Sequence, residues 1–164
     1  MKAIKNIIRK LINIMGYNIS RINKTNDFIY RDPIIDNDEV FMKIYKKCCN
    51  YTMTNKERMY ALHKSVEYII KNNIPGDFVE CGVWRGGSTM LIAYSLLEFN
   101  VNNRKIYLYD TFEGMSQPTE FDYLLANSFF ASELLQKEPK KDTNFWCFVT
   151  LNEVKNNMAL TKYP

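Results

Sequence analysis

The sequence predicts an α/β fold built on parallel strands, and three observations carry that prediction. A short apolar run, Phe78-Val79-Glu80-Cys81, leads straight into a glycine-rich loop. A helical period of apolar residues follows from Ser88, and a second apolar run, Lys105 to Asp110, ends in a carboxylate. A right-handed crossover closes such a strand, loop, helix and strand into two parallel neighbours. The glycine loop and Asp110 then both lie at the carboxyl ends of the strands, where ligands bind in sheets of this type. One small-molecule site is implied.

Taken in order, Ile4, Ile7, Ile8, Leu11, Ile12 and Met15 recur at helical spacing opposite Lys2, Lys5, Arg9 and Lys10. They predict a basic amphipathic helix ending at Gly16. Its apolar face suits an anionic membrane surface, giving peripheral membrane contact through residues 1–15, or else a hydrophobic patch on its own domain or a partner. Residues 17–37, with Asn, Asp, Arg and Pro33, read as an irregular connector. A helix from Asp38 to Asn50 follows, with Val40, Phe41, Ile44, Tyr45 and Cys48 on one side. Thr54 and Glu57 stand at capping-box spacing before a helix that carries Leu62, Val66, Ile69 and Ile70 and ends near Asn73. Ile74-Pro75-Gly76-Asp77 is a turn, and Phe78 to Cys81 a short buried strand. Ser88 caps a helix through Phe99, with Met90, Leu91, Tyr94 and Leu97 on its apolar face. After the strand ending at Asp110, residues 116–147 read as an insertion over the site. It holds a helix near Phe121 to Gln136, a charged Lys137 to Asp142 turn and an apolar Phe145 to Val149 patch. Thr150 and Glu153 form a second capping pair before a helix to about Leu160. Residues 1–50 are thus expected as amino-terminal helices and connector, and residues 51–164 as the ligand-binding part.

Composition narrows the function. Lys plus Arg number 22 against 18 Asp plus Glu, a net charge of +4 over 164 residues that are 46% hydrophobic. The excess of base sits early, in Lys2, Lys5, Arg9, Lys10 and Arg21, and the nearly neutral remainder argues against a nucleic-acid partner. Neither a run of about eighteen apolar residues nor a secretory signal occurs, so a cytoplasmic chain is expected. Cys48, Cys49, Cys81 and Cys147 match no zinc spacing and read as reduced thiols. Asn18-Ile19-Ser20 and Asn50-Tyr51-Thr52 fit the glycosylation pattern but lack a signal to bring them to that machinery.

The loop Gly82-Val83-Trp84-Arg85-Gly86-Gly87 lets backbone approach a ligand closely and offers N–H groups at the start of a helix. Phosphate would suit those donors, yet the glycine spacing is not that of dinucleotide sites, and Glu80 at the strand tip repels a pyrophosphate. S-adenosylmethionine carries no phosphate, and its ammonium and sulfonium groups are cationic, so a carboxylate beside the loop favours it. Asp110, 28 residues beyond Gly82, is placed to bind ribose hydroxyls, as the acid of dinucleotide folds does.

Pro75 to Ser88 (PGDFVECGVWRGGS), followed by Tyr109-Asp110-Thr111-Phe112-Glu113-Gly114-Met115, resembles the macrocin O-methyltransferase (TylF-type) family. The resemblance extends back through Thr54 to Arg58 and forward over residues 148–164, leaving residues 1–35 outside it. It implies a Rossmann-like class I methyltransferase fold, here incomplete, with S-adenosylmethionine as donor and a hydroxyl of a macrolide or polysaccharide sugar as acceptor. Glu80, Gly82, Val83, Trp84, Gly86, Gly87, Ser88, Asp110 and Thr111 are the residues expected to bind the donor. Magnesium is implied too, but the family's metal ligands and acceptor-side residues belong to a later half, into further strands of the sheet. None can be placed on this chain. The expectation is therefore an amino-terminal portion, from a truncated or split gene, that does not turn over alone and functions as a homo-oligomer or with a separate carboxyl-terminal half. An unactivated sugar hydroxyl must be held in line with the sulfonium and helped to lose its proton.

Other residues have plainer readings. His63, the single histidine, sits in mid-helix and reads as a partly exposed structural residue. Trp84 and Arg85 either touch the ligand or, for Trp84, anchor the loop. Cys81 is packing rather than nucleophile, Glu113 orders the loop after Asp110, and Tyr51, Thr52 and Arg58 are candidates for a lid. A non-catalytic adenosylmethionine-binding pseudoenzyme is the alternative, and a nucleotide-dependent oxidoreductase is disfavoured by Glu80 and the glycine spacing.

Overall fold

The computed structural model describes residues 32–124, 129–133 and 146–164. The chain divides into two compact units, Met1–Asp32 and Pro33–Pro164, and every described helix and strand belongs to the second. The amphipathic helix expected over residues 1–16 and the turn expected at Lys137 to Asp142 lie outside the described residues.

A short helix, α1 (Pro33–Asp36), occupies the end of the expected connector and buries Ile35. Pro33 at its first position is pre-set for the helical φ and has no N–H to leave unsatisfied. In α2 (Glu39–Cys48) the Asp38 side chain accepts the Phe41 N–H at 2.9 Å, and Phe41, Ile44 and Cys48 form the buried stripe. A 3-10 turn, Cys49–Tyr51, closes it. The cap of α3 (Lys56–Lys71) is Asn55, which accepts the Arg58 N–H at 3.0 Å; the expected Thr54 instead donates its own N–H to Thr52 Oγ1 at 3.1 Å. Met59, His63 and Val66 are the buried residues of α3.

Strands β1 (Phe78–Cys81) and β2 (Ile106–Tyr109) are parallel, with Phe78 opposite Ile106 and Cys81 opposite Tyr109. Their entrances are pinned: the Arg104 guanidinium donates to the carbonyls of Gly76 and Ile74 at 2.7 Å, and Asp77 accepts the Lys105 N–H at 2.9 Å. Between them runs α4 (Gly87–Glu98), capped by the backbone of Gly86 rather than by Ser88, which lies in the first turn. Thr89, Met90, Leu91, Ile92, Ala93, Ser95 and Leu96 of α4 are all buried. A helix apolar on every side is the centre of its fold rather than its surface. One side of α4 packs on α2 and α3 through Met90 and Leu91, and another meets the sheet through Ile92, Leu96, Phe78 and Ile106.

Strand β1, expected to be buried, turns only one face inward. Phe78, Glu80, Ile106 and Leu108 turn inward, while Val79 and Tyr109 are each 60% exposed, with Cys81 and Tyr107 exposed beside them. The phase anticipated for Cys81 is therefore reversed, because alternation follows Phe78, which meets α4. The helix expected near Phe121 to Gln136 is also corrected. Tyr123–Leu124 (β3) and Phe129–Phe130 (β4) pair as an antiparallel hairpin, and helical backbone begins only at Ala131. Thr119 and Asp122 make the turn that enters it, with Asp122 Oδ2 accepting the Thr119 N–H at 2.7 Å. Aromatic residues favour the extended conformation that follows. The last helix, α5 (Leu151–Ala159), has the anticipated Thr150 cap, whose hydroxyl oxygen accepts the Glu153 N–H at 3.2 Å. Val154 packs with Val83 and Val149 under the glycine loop.

Candidate functional site

Past the last residue of β1 the backbone makes a tight excursion: Gly82, Trp84 and Gly86 have φ of +84°, +47° and +85°. A left-handed φ is ordinary for glycine but strained for a bulky side chain, so Trp84 is held there by its surroundings. Its holders are visible. Asp110 Oδ2 accepts the Val83 N–H at 2.7 Å and the Trp84 N–H at 3.2 Å, and Asn157 Nδ2 donates to the Arg85 carbonyl at 3.0 Å. The Arg85 guanidinium lies 4.9 Å from the Trp84 ring centre and 3.4 Å from Glu153. Gly87 answers a different need. A Cβ there would fall 2.6 Å from the Tyr51 backbone and 2.7 Å from Thr52, so glycine lets the 3-10 turn rest on the start of α4.

Two carboxylates stand at the tips of the adjacent strands. Burial alone would push Asp110 upward, but the N–H groups of Phe112, Val83, Trp84 and Thr111 outweigh it and hold its pKa below the ordinary aspartate value. Glu80 goes the other way. Burial raises its pKa, and neighbouring Asp110 adds to the rise against the opposing hydrogen bonds of Thr89 and Ser88. The Glu80 carboxylate accepts from the Thr89 hydroxyl at the start of α4. Asp110 is thus held as an anion beside the loop, a charge that suits a cation.

A cleft of about 450 Å³ opens at this end of the sheet. Gly82, Trp84, Asp110 and Thr111 line it among the anticipated residues, joined by Met53, Gly114, Met115 and Cys147. The remaining anticipated residues sit behind that wall: Val83 is buried on Val149 and Val154, Gly86 and Gly87 shape the helix start, and Ser88 lies in the first turn of α4 with Glu80 beneath. Cys147 and Met115 come together because the Met115 N–H donates to the Trp146 carbonyl at 2.8 Å. Such a non-local pairing has no signature in the sequence. Met53 could have been anticipated, since it follows Tyr51 and Thr52. Another concavity, about 690 Å³, runs along the outer edge of β2 past Lys155, Met158 and Tyr163. It holds none of the glycine-loop or carboxylate groups.

His63 is 2% exposed, not partly exposed as expected, and its structural role is plain. Nδ1 is 2.8 Å from Ser95 Oγ, and the rings of Phe41 and Phe99 lie 5.8 and 6.0 Å away. Burial, reinforced by Lys64, lowers its pKa. Burial likewise pushes the Cys48 thiol up to about 12, which makes it inert. Among the described residues no group of three or more His, Cys, Asp or Glu could hold a metal ion. The implied magnesium therefore has no donor set among them.

The chain is similar to known O-methyltransferases. The profile of the Macrocin-O-methyltransferase (TylF) family matches residues 13–157, reaching further back than the segments that carry the resemblance. Over 73 residues the chain is 38% identical to demethyldecarbamoylnovobiocin O-methyltransferase of Streptomyces niveus, covering 44% of this chain and 28% of that enzyme. It is 33% identical to mycinamicin III 3''-O-methyltransferase of Micromonospora griseorubida, again over 73 residues, 44% of this chain and 29% of that one. Among solved structures, the O-methyltransferase NovP superposes with a TM-score of 0.52 at 30% identity, covering 69% of this chain and 43% of that one. The matched part thus spans less than half of each relative.

Proposed function

The chain belongs to the macrocin O-methyltransferase (TylF) family, and from that premise we propose that its cleft binds S-adenosylmethionine for O-methylation of a sugar hydroxyl. The observation that carries the reading is the pair of carboxylates, Glu80 and Asp110, at adjacent strand ends beside a glycine loop. When bound, adenosylmethionine supplies an electrophilic methyl group on a positively charged sulfur. Trp84, Asp110 and Thr111 would hold its adenosine portion, and the Glu80 charge would favour its cationic portion. The sugar-hydroxyl acceptor is proposed from a further relative, 37% identical over 67 residues, which is named as a 4'-O-methyltransferase of a rhamnosyl-bearing tetracenomycin from Streptomyces olivaceus.

Proton removal from the acceptor is a separate requirement. Among the described residues the single histidine is buried against Ser95 and does not line the cleft. We propose that residues 1–164 bind the donor and draw on further groups, from a second copy or from a separate carboxyl-terminal half, for turnover. A non-catalytic adenosylmethionine-binding partner is the second reading. A cytoplasmic location belongs to this proposal as well; among the described residues no helix is long and apolar enough to cross a membrane. Methyl transfer by the purified 1–164 protein to a deoxysugar-bearing acceptor would overturn the requirement for added groups. Nicotinamide cofactor binding without adenosylmethionine binding would overturn the ligand.

A further inference from the structure

We propose that Asp110 is a resident anion that closes the glycine loop to phosphate, and so decides which class of adenosine derivative the cleft admits. The consequence for adenosine ligands rests on the donor-binding reading above; the effect on phosphate does not. A strand-to-helix glycine loop is ordinarily an anion seat, because its N–H groups and the helix start converge on one point. Here four of those donors are taken from inside. The Val83 and Trp84 N–H groups go to Asp110 Oδ2, the Gly82 N–H to the Tyr109 carbonyl at 2.9 Å, and the Gly86 N–H to the Val83 carbonyl at 2.9 Å.

The helix start carries a second carboxylate. Glu80 accepts from the Thr89 hydroxyl, and its charge sits where a phosphate would otherwise meet the positive end of α4. A phosphate entering the loop would meet Asp110 and Glu80, with the N–H groups of Gly82, Val83, Trp84 and Gly86 already engaged. A thioether or sulfonium substituent at the same place needs none of those donors. Asp110 Oδ1 also accepts the Phe112 N–H at 2.9 Å, so the one side chain joins the loop after β1 to the loop after β2. Removing it frees the Val83 and Trp84 N–H groups for an external anion.

The test uses the full 164-residue chain, isotope-labelled, titrated with inorganic pyrophosphate while the Val83 and Trp84 amide resonances are followed. In the wild type pyrophosphate leaves them unmoved. In Asp110→Ala both move, and apparent pyrophosphate affinity rises at least about tenfold, the scale of a freed pair of charge-assisted hydrogen bonds. Asp110→Asn keeps the side-chain shape and guards against loss of folding; it shows a smaller gain in the same direction. Movement of these amides in the wild type, or an unchanged affinity in both variants, overturns the proposal. S-adenosylhomocysteine is titrated in parallel. Its failure to bind the wild type, with pyrophosphate behaving as expected, sinks the donor reading and leaves the loop filter standing.

Discussion

Glu80 is held in an unfavourable place, and its substitution separates stability from binding. Its folded pKa lies above the ordinary glutamate value, mainly through burial. The folded protein therefore binds this proton more tightly than the unfolded chain, and stability falls as pH rises from the ordinary value through the folded one. Glu80→Gln is accordingly expected to raise the melting temperature at pH 7 and to leave it unchanged near pH 4, which calorimetry at the two pH values checks. His63 has the opposite consequence. Its lowered pKa means the unfolded state binds the proton more tightly, so stability is lost as pH falls through the ordinary histidine value. Urea melts of the wild type should weaken from pH 7.5 to pH 5.5 (about one unit either side of that value), and His63→Gln should flatten the trend. Gly87→Ala forces a Cβ onto the Tyr51 backbone and is expected to cost about 1–3 kcal/mol in the same melts. The carboxylates and glycines of this site are legible one by one, because their residue types and spacing are local signals. What the carboxylates bond to is not: Asp110 meets Val83 across the two strand ends, a pairing that exists only once β1 and β2 are in register.

Helices and strands differ in how openly they announce themselves. The crossover unit from Phe78 to Tyr109 is readable because each piece is bounded by glycine, asparagine or a terminal acid. Caps are readable only to within a residue: Thr150 caps α5 as its spacing suggests, whereas Asn55 displaces Thr54 at α3. The hairpin of Tyr123–Leu124 and Phe129–Phe130 reads wrongly as helix, since short aromatic runs carry no period that distinguishes the two. Central helix α4 carries the largest share of the core. Leu91, fully buried with Phe41, Met59 and Met90, should cost about 2–5 kcal/mol when changed to alanine. Chemical denaturation would measure this, and a loss below about 1 kcal/mol would contradict the placement of α4 at the centre.

The whole described unit is two layers, with helices on one face of a two-stranded parallel sheet and Val79, Cys81, Tyr107 and Tyr109 exposed on the other. Parallel sheets are ordinarily covered on both faces. Exposed aromatic side chains next to open strand edges promote self-association. Sedimentation at rising concentration should show it for the wild type, and Tyr107→Lys should suppress it with little change in stability. That exposure is not legible from the run of residues, because an apolar strand reads the same whether one face or two are packed. Function at this scale rests on the cleft at the strand ends. Titration calorimetry of S-adenosylmethionine into the 164-residue protein and its Glu80→Gln variant tests it. Binding by the wild type, weakened at least about tenfold in the variant by loss of the charge behind the cleft wall, is the expected result. No binding by the folded wild type, or equal binding by both proteins, would contradict it.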